Sequence, residues 1–166
     1  MANYKFDEDN GIIIDELTGE RVFIVSKTRI EDIFKRLSQI FKSGIEVLLL
    51  ESSRTAGKHI ADLTGEKAKT DIKRLLGEYI NKFAQVGFGR VEVCEFEPKE
   101  ARIRFRVWNN FFAEIRDGKS TYCSYIAGLV SGLYEGLLHE TPSVKEVKCI
   151  GKGERYCEFL LTRKTP

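Results

Sequence analysis

Cys149 and Cys157 stand symmetrically about Gly153 in Lys148-Cys149-Ile150-Gly151-Lys152-Gly153-Glu154-Arg155-Tyr156-Cys157, and this constrains the chain more than any other feature. A hairpin turning at the glycine would set the two cysteines opposite each other. Val147 and Cys149 share strand parity, as do Cys157, Phe159 and Leu161, so both cysteines can face a core. With Cys123 and Glu146 they make three thiolates and a carboxylate, a set that can complete a tetrahedral zinc shell. Such a metal would tie a helix to a hairpin and leave no open position for catalysis. On spacing alone two other readings of the pair stay open: small core residues, or a cross-strand disulfide. The knuckle spacing usual in zinc sites is shorter. Glu146 lies three residues before Cys149, and a regular strand sends such residues to opposite faces. It can join Cys149 only if the chain is bulged or not yet extended there. Cys123, near the start of a helix, is the candidate third thiolate, because a helix N-terminus favours the deprotonated form.

The 166 residues suit one domain spanning 1–166 with a substantial core. Lysine and arginine total 27 against 25 acids, a formal charge of +2, and no basic run marks a nucleic-acid footprint. The longest apolar run is Val47-Leu48-Leu49-Leu50, far short of the roughly 18 residues a membrane span needs. The first residues carry no signal-peptide pattern, so a cytoplasmic protein with reduced thiols is expected.

Residues 11–26 read as a hairpin, with 12–14 and 22–25 flanking a turn at Leu17-Thr18-Gly19-Glu20. A helix is expected over 28–42, where Ile30, Ile33, Phe34, Leu37, Ile40 and Phe41 keep a 3.6-residue stripe; Thr28 and Glu31 make a capping box and Gly44 follows the end. Val47–Leu50 would also suit a strand, but Ala56, Ile60 and Leu63 keep helical spacing, so 45–63 is expected to be helical. A further amphipathic helix spans 66–86, closed by Gly87 and Gly89. Two strands follow. In 101–108, Ile103, Phe105 and Val107 alternate with Arg102, Arg104 and Arg106, so one face is buried and one solvated. Pro98 and Lys99 mark the turn before it. A helix over 120–139 and a hairpin over 144–162 complete the chain. The order gives an α+β fold with a mainly antiparallel sheet packed with helices.

Gly128, Gly132 and Gly136 recur every fourth residue on the helix over 120–139. Each costs about 0.8–1 kcal/mol of helix propensity, so something should offset it: close approach of another helix, a ligand against bare backbone, or a dimer interface. Trp108, Phe111, Phe112 and Tyr122 make an aromatic cluster that either packs the core or walls an apolar pocket with the indole N–H as polar handle. His59 and His139 have no metal-type spacing partner. No phosphate loop, dinucleotide fingerprint or paired carboxylate appears, so the residues make no positive case for an enzyme.

Trp108-Asn109-Asn110, Cys123, Ala127-Gly128-Leu129-Val130-Ser131-Gly132-Leu133, Glu146-Val147-Lys148-Cys149-Ile150-Gly151-Lys152-Gly153 and Cys157 resemble the 4-vinyl reductase domain family, also described as a predicted hydrocarbon-binding domain. The resemblance spans about residues 100–162 and suggests a stand-alone archaeal member. It implies a fold similar to trafficking-adaptor subunits and haem-based nitric-oxide sensors, and it implies homodimers. In phenol-responsive regulators this domain binds an aromatic effector beside a structural zinc. Those zinc ligands match Cys123, Glu146, Cys149 and Cys157. The pocket carries over less completely: Trp108 corresponds to a pocket tryptophan, but no histidine lies between His59 and His139. No ATPase or DNA-binding domain is attached, so a signal would pass to a separate effector protein. The expectation is a zinc-containing sensor or carrier for a small hydrophobic or aromatic molecule, its pocket near Trp108, Phe111, Phe112 and Tyr122. The rivals are an interaction scaffold with a filled core, and an accessory protein or reductase of tetrapyrrole vinyl-group reduction.

Overall fold

The computed structural model describes residues 4–16, 18–68, 72–97, 100, 102–117 and 120–164. Four antiparallel strands form the main sheet in the order β4-β5-β9-β8, with β4 Arg90–Glu97, β5 Arg102–Trp108, β8 Pro142–Lys148 and β9 Cys157–Arg163. The alternation in β5 works as the sequence implies. Ile103, Phe105 and Val107 are buried and meet Leu161, Phe159 and Cys157 of β9, with Phe105 and Phe159 stacked at 5.1 Å. The arginines take the other face. There Glu158, itself buried, accepts from Arg104 Nη1 at 3.1 Å and Arg106 Nε at 2.8 Å.

The N-terminal hairpin is a three-stranded sheet rather than two. β1 Tyr4–Asp7 pairs with β2 Ile12–Asp15, which pairs in turn with a short β3, Arg21–Val22. The strand expected over 22–25 stops early: Phe23 and Ile24 are 82% and 89% exposed and pair with nothing in the sheet. Leu17 of the expected turn lies outside the described residues, as do Pro98 and Lys99.

α1, Lys27–Phe41, begins one residue before the expected start, with Ser26 as its N-cap and no side-chain capping bond. The Thr28–Glu31 box does not form. Lys27 holds Glu114 at 2.6 Å and also draws Glu31, at 3.7 Å. Lys42, in left-handed backbone, ends the helix, and Gly44 starts the next. α2 is helical as expected but runs over Gly44–Ala68. It takes in the residues expected to open the following helix, and α3 spans only Ile72–Gln85. After β5 come a one-turn α4, Phe111–Glu114, and the two-residue strands β6, Arg116–Asp117, and β7, Ser120–Thr121. The last helix, α5, is Ser124–Leu138. It starts after Cys123 rather than at 120 and closes at His139 in left-handed backbone.

The glycine stripe of α5 lies against α2. A Cβ at Gly132 would overlap the Arg54 carbonyl, one at Gly128 the Leu50 carbonyl, and one at Gly57 of α2 the Leu129 carbonyl. The helix backbones therefore approach with nothing between them. This contact consumes the glycine face, which is neither a ligand groove nor a dimer surface. Glu135 of α5 fastens the contact by accepting from Arg54 Nη2 at 2.7 Å and Lys58 Nζ at 2.9 Å.

Substituting Gly132→Ala should destabilise the protein by a net amount of about 1–3 kcal/mol, because overlap with backbone outweighs the roughly 1 kcal/mol propensity gain. Gly77→Ala in α3, where a Cβ meets open space, should stabilise by up to about 1 kcal/mol. Urea unfolding of the two variants checks both signs. Lys58 and Arg54 hold the Glu135 carboxyl below its ordinary value of 4.5, and Arg106 and Arg104 do the same for Glu158. A group whose folded pKa is depressed gives stability that is present above the unfolded value and lost as pH falls through the folded one. Stability should therefore fall on acidification below about pH 4.5, and Glu158→Gln should flatten that fall in an acid titration followed by circular dichroism.

Candidate functional site

Cys123, Glu146, Cys149 and Cys157 come together. Their ligand atoms all lie within 4.8 Å of one another, with Cys123 Sγ 3.7 Å from Cys149 Sγ and 3.8 Å from Cys157 Sγ. None of the four cysteines of the chain forms a disulfide. Three elements supply the set. Cys123 is the residue at which α5 begins, Cys157 opens β9, and Glu146 and Cys149 flank the end of β8. The parity problem at Glu146 is solved by a β-bulge. Glu146 pairs with Phe159 and Lys148 with Glu158, so Val147 is the extra residue and turns outward, 42% exposed. With one residue taken up by the bulge, Glu146 and Cys149 point the same way. The turn beyond is a 3-10 turn, Ile150–Lys152, closed by Gly153 in left-handed backbone. Lys152 N–H and Glu154 N–H both donate to the Cys149 carbonyl, at 3.0 and 3.2 Å.

The donor atoms fit a tetrahedral metal ion. Metal–sulfur bonds of about 2.3 Å put sulfurs about 3.8 Å apart along a tetrahedron's edge. The electrostatics point the same way. The three cysteines are buried, and Glu146 Oε1 is buried with no hydrogen-bond partner among the described residues. The hydrogen bond to Cys157, then burial, then the charges of Cys157 and Glu146 push the Cys123 thiol far up, while the bond from Cys123 and the Ile150 N–H bring Cys157 down. The group can ionise at one sulfur cheaply and not at all four positions. A divalent cation at its centre removes that repulsion.

A residue not singled out as a site residue supports the cluster. Asn110 is fully buried; its Oδ1 accepts from Phe112 N–H at 3.1 Å, capping α4, and its Nδ2 donates to Cys123 Sγ at 3.6 Å. Ile150 N–H donates to Cys157 Sγ at 3.4 Å. Such outer partners orient thiolate ligands.

A cavity of about 1280 Å³ lies on the inner side of the main sheet. Ile103, Phe105, Val107 and Leu161 form its sheet wall, and α5 contributes Ile126, Leu129, Leu133 and Leu137 from the side away from its glycines. α1, α3 and the N-terminal strands complete it. Phe111 and Phe112 line it, as expected. Trp108 and Tyr122 do not, and the expected pocket position is corrected accordingly. Trp108 has the parity of the arginines, so it sits on the outer face of the sheet, 4.8 Å from the Tyr156 ring, with its Nε1–H donating to Glu92 Oε2 at 3.0 Å. Tyr122 is wholly buried, its hydroxyl bonded to Ser38 Oγ and to the Phe34 carbonyl. Instead of them the wall has Phe34, Phe88 and Tyr125, the last stacked on Phe112 at 4.2 Å. Writing out the helical face opposite Gly128 and Gly132 would have found Tyr125. His59 bonds Glu20 at 3.1 Å and takes no part in either site.

The fold and the cluster are those of a 4-vinyl reductase domain: residues 103–163 match that family, a stretch that holds all four cluster residues. Two uncharacterized proteins of Methanocaldococcus jannaschii are relatives, 26% identical over 71% of this chain and 27% identical over 77%. Each alignment spans 65% of the relative's own length. Among solved structures, the phenol-responsive sensory domain of the transcription activator PoxR, determined with phenol, is similar at TM-score 0.78 and 16% identity, covering 96% of this chain and 84% of that one. A vinyl-4-reductase family protein of M. jannaschii follows at 0.58 and 18%, covering 87% and 85%. A trafficking protein particle complex subunit 3 from Naegleria fowleri, covalently bound to palmitic acid, gives 0.54 and 16%, covering 84% and 95%. The H-NOX protein of S. oneidensis shares the fold too, at 0.60 and 12%, covering 88% and 82%.

Asn110→Ala should lower stability by about 1–2 kcal/mol through the lost cap alone. Asn110→Asp, which keeps the acceptor for Phe112 but brings a carboxylate beside the cluster, should cost more if the sulfurs are anionic. Guanidinium denaturation of the two variants, measured side by side, tests that order.

Proposed function

We propose that this protein is a zinc-stapled binding domain for a hydrophobic ligand, acting as a sensor or carrier. The observation that carries the reading is the large apolar cavity between the sheet and the glycine-free side of α5. A scaffold with a filled core would leave no such space. The likeness to a trafficking subunit does not oppose ligand binding, since that protein itself holds palmitic acid. Cys123, Glu146, Cys149 and Cys157 would hold zinc, favoured by a sulfur-rich tetrahedral set. Four protein ligands leave no water position, so the metal's contribution is structural. Phe111 and Phe112 would contact the ligand from α4, the short helix that Asn110 joins to the cluster.

A homodimer fits the resemblance. With the glycine stripe occupied by α2, its contact would use another surface. α1, which has no fully buried residue and exposes Ile33, Ile40 and Phe41, supports that use. Output would pass to a separate effector protein in the cytoplasm.

One native mass spectrum reads the three claims together. The expected species is a dimer with one zinc per chain and retained apolar small molecules. Cys157→Ser should lose the metal and drop the melting temperature by several degrees. A metal-free wild-type spectrum after zinc supplementation would remove the zinc assignment, and a cavity that takes up no apolar probe would remove the binding role.

A further inference from the structure

Three buried side-chain polar atoms lack a hydrogen-bond partner among the described residues: Glu146 Oε1, Ser124 Oγ and Tyr134 OH. The first belongs to the metal cluster and the second lies beside it. Tyr134 is different. It projects from the middle of α5, is 5% exposed, and lines the apolar cavity. A buried hydroxyl without a partner is costly to keep. An apolar wall would be served better by phenylalanine, unless a ligand supplies the missing bond.

Two further observations narrow the ligand. The first is size. At about 1280 Å³ the cavity is roughly eight times the ~150 Å³ that holds one benzene, and it exceeds the roughly 300–1,000 Å³ of drug-sized pockets. A single aromatic ring would leave most of the wall without contacts. The second is charge. The cations among the described lining residues are Lys27 and Lys82, and each already has an acid at 2.6 Å, Glu114 and Asp15 respectively. The Asp15–Lys82 pair is itself largely buried, at 7% and 15% exposure. No unmatched cation remains among them to receive a ligand carboxylate or phosphate, and an unpaired anion in such surroundings is strongly disfavoured.

We infer that the cavity takes an uncharged long-chain lipid with a single oxygen function, a hydroxyl or carbonyl, bonded to the Tyr134 hydroxyl. This rests on the ligand-binding reading above and names its ligand class and a specificity residue. The chain fills the space along Leu129, Leu133 and Leu137, and Tyr134 selects the oxygenated molecule over the plain hydrocarbon.

The test is displacement of the neutral fluorophore N-phenyl-1-naphthylamine from delipidated protein at pH 8 by dodecanol, dodecane, laurate and phenol. Dodecanol should bind at least tenfold tighter than laurate and far tighter than phenol. In Tyr134→Phe the preference for dodecanol over dodecane should fall about fivefold, the size of one neutral hydrogen bond. The ligand-free variant should melt at the same or a higher temperature, because an orphaned hydroxyl has been removed. Laurate or phenol binding as tightly as dodecanol, an unchanged preference in Tyr134→Phe, or a lower melting temperature of the ligand-free variant would each overturn the inference while leaving hydrophobic binding intact. If neither the fluorophore nor dodecane binds, the binding reading itself fails.

Discussion

The contact between α2 and α5 decides which way α5 faces. A helix has one circumference to spend. Gly57, Gly128 and Gly132 let the two backbones touch, and any Cβ there would strike a carbonyl of the other helix. With that side committed, the large residues of α5 must lie on the other, and they meet the inner face of the sheet. Had both sides of α5 been bulky, the helix would stand off from α2 and move toward β5 and β9, filling the space that is now a cavity. The glycines' propensity cost of about 0.8–1 kcal/mol each is offset by that close packing and by Glu135 clasping Arg54 and Lys58.

The four-residue cluster plays the matching role at the start of the same helix. It joins α5, β8 and β9 through side chains alone, and its geometry hangs on one irregularity, the bulge at Val147. Without the bulge Glu146 would leave the set and three thiolates would remain. The bulge also explains an exposed valine on a strand whose even-numbered residues from 142 to 146 turn inward. An edge strand tolerates such an extra residue because only one neighbour must adjust.

Much of this was legible in the chain, and the errors have physical causes. The β5 alternation, the helical reading of 45–63 and the antiparallel hairpin followed from periodicity, because burial on one face leaves a period that survives any detail of packing. Helix ends were misplaced where side chains had stronger engagements than local capping: Glu31 serves Lys27 instead of closing a box with Thr28. Trp108 was misread for a different reason. Its neighbours in sequence are Phe111 and Phe112, which suggested one aromatic cluster, yet its parity with Arg102, Arg104 and Arg106 already assigned it to the outer face. The parity was the better guide, because it counts backbone geometry rather than composition. The glycine stripe could be read as a close contact but not as a contact with a particular helix. That needed the long-range arrangement of α2, and Gly57, its counterpart, sits alone in an ordinary stretch of helix.

Cavity and cluster are not independent sites. Val107 lines the cavity and pairs across the sheet with Cys157. Phe112 lines it too, and its N–H fixes the Asn110 side chain that reaches Cys123. Ile126 lies one turn beyond Cys123 on α5, where i and i+3 residues share a face. α4 has only four residues and could not persist on its own helical hydrogen bonds. Its place in the cavity wall therefore depends on Asn110, and through Asn110 on the sulfur cluster. A cation at the cluster would remove the repulsion among its donors and so stiffen the floor to which Phe111 and Phe112 are attached. The other walls are long helices and a four-stranded sheet that hold themselves. A structural metal at this point in the fold reinforces the one cavity wall that has too little secondary structure to hold its own shape.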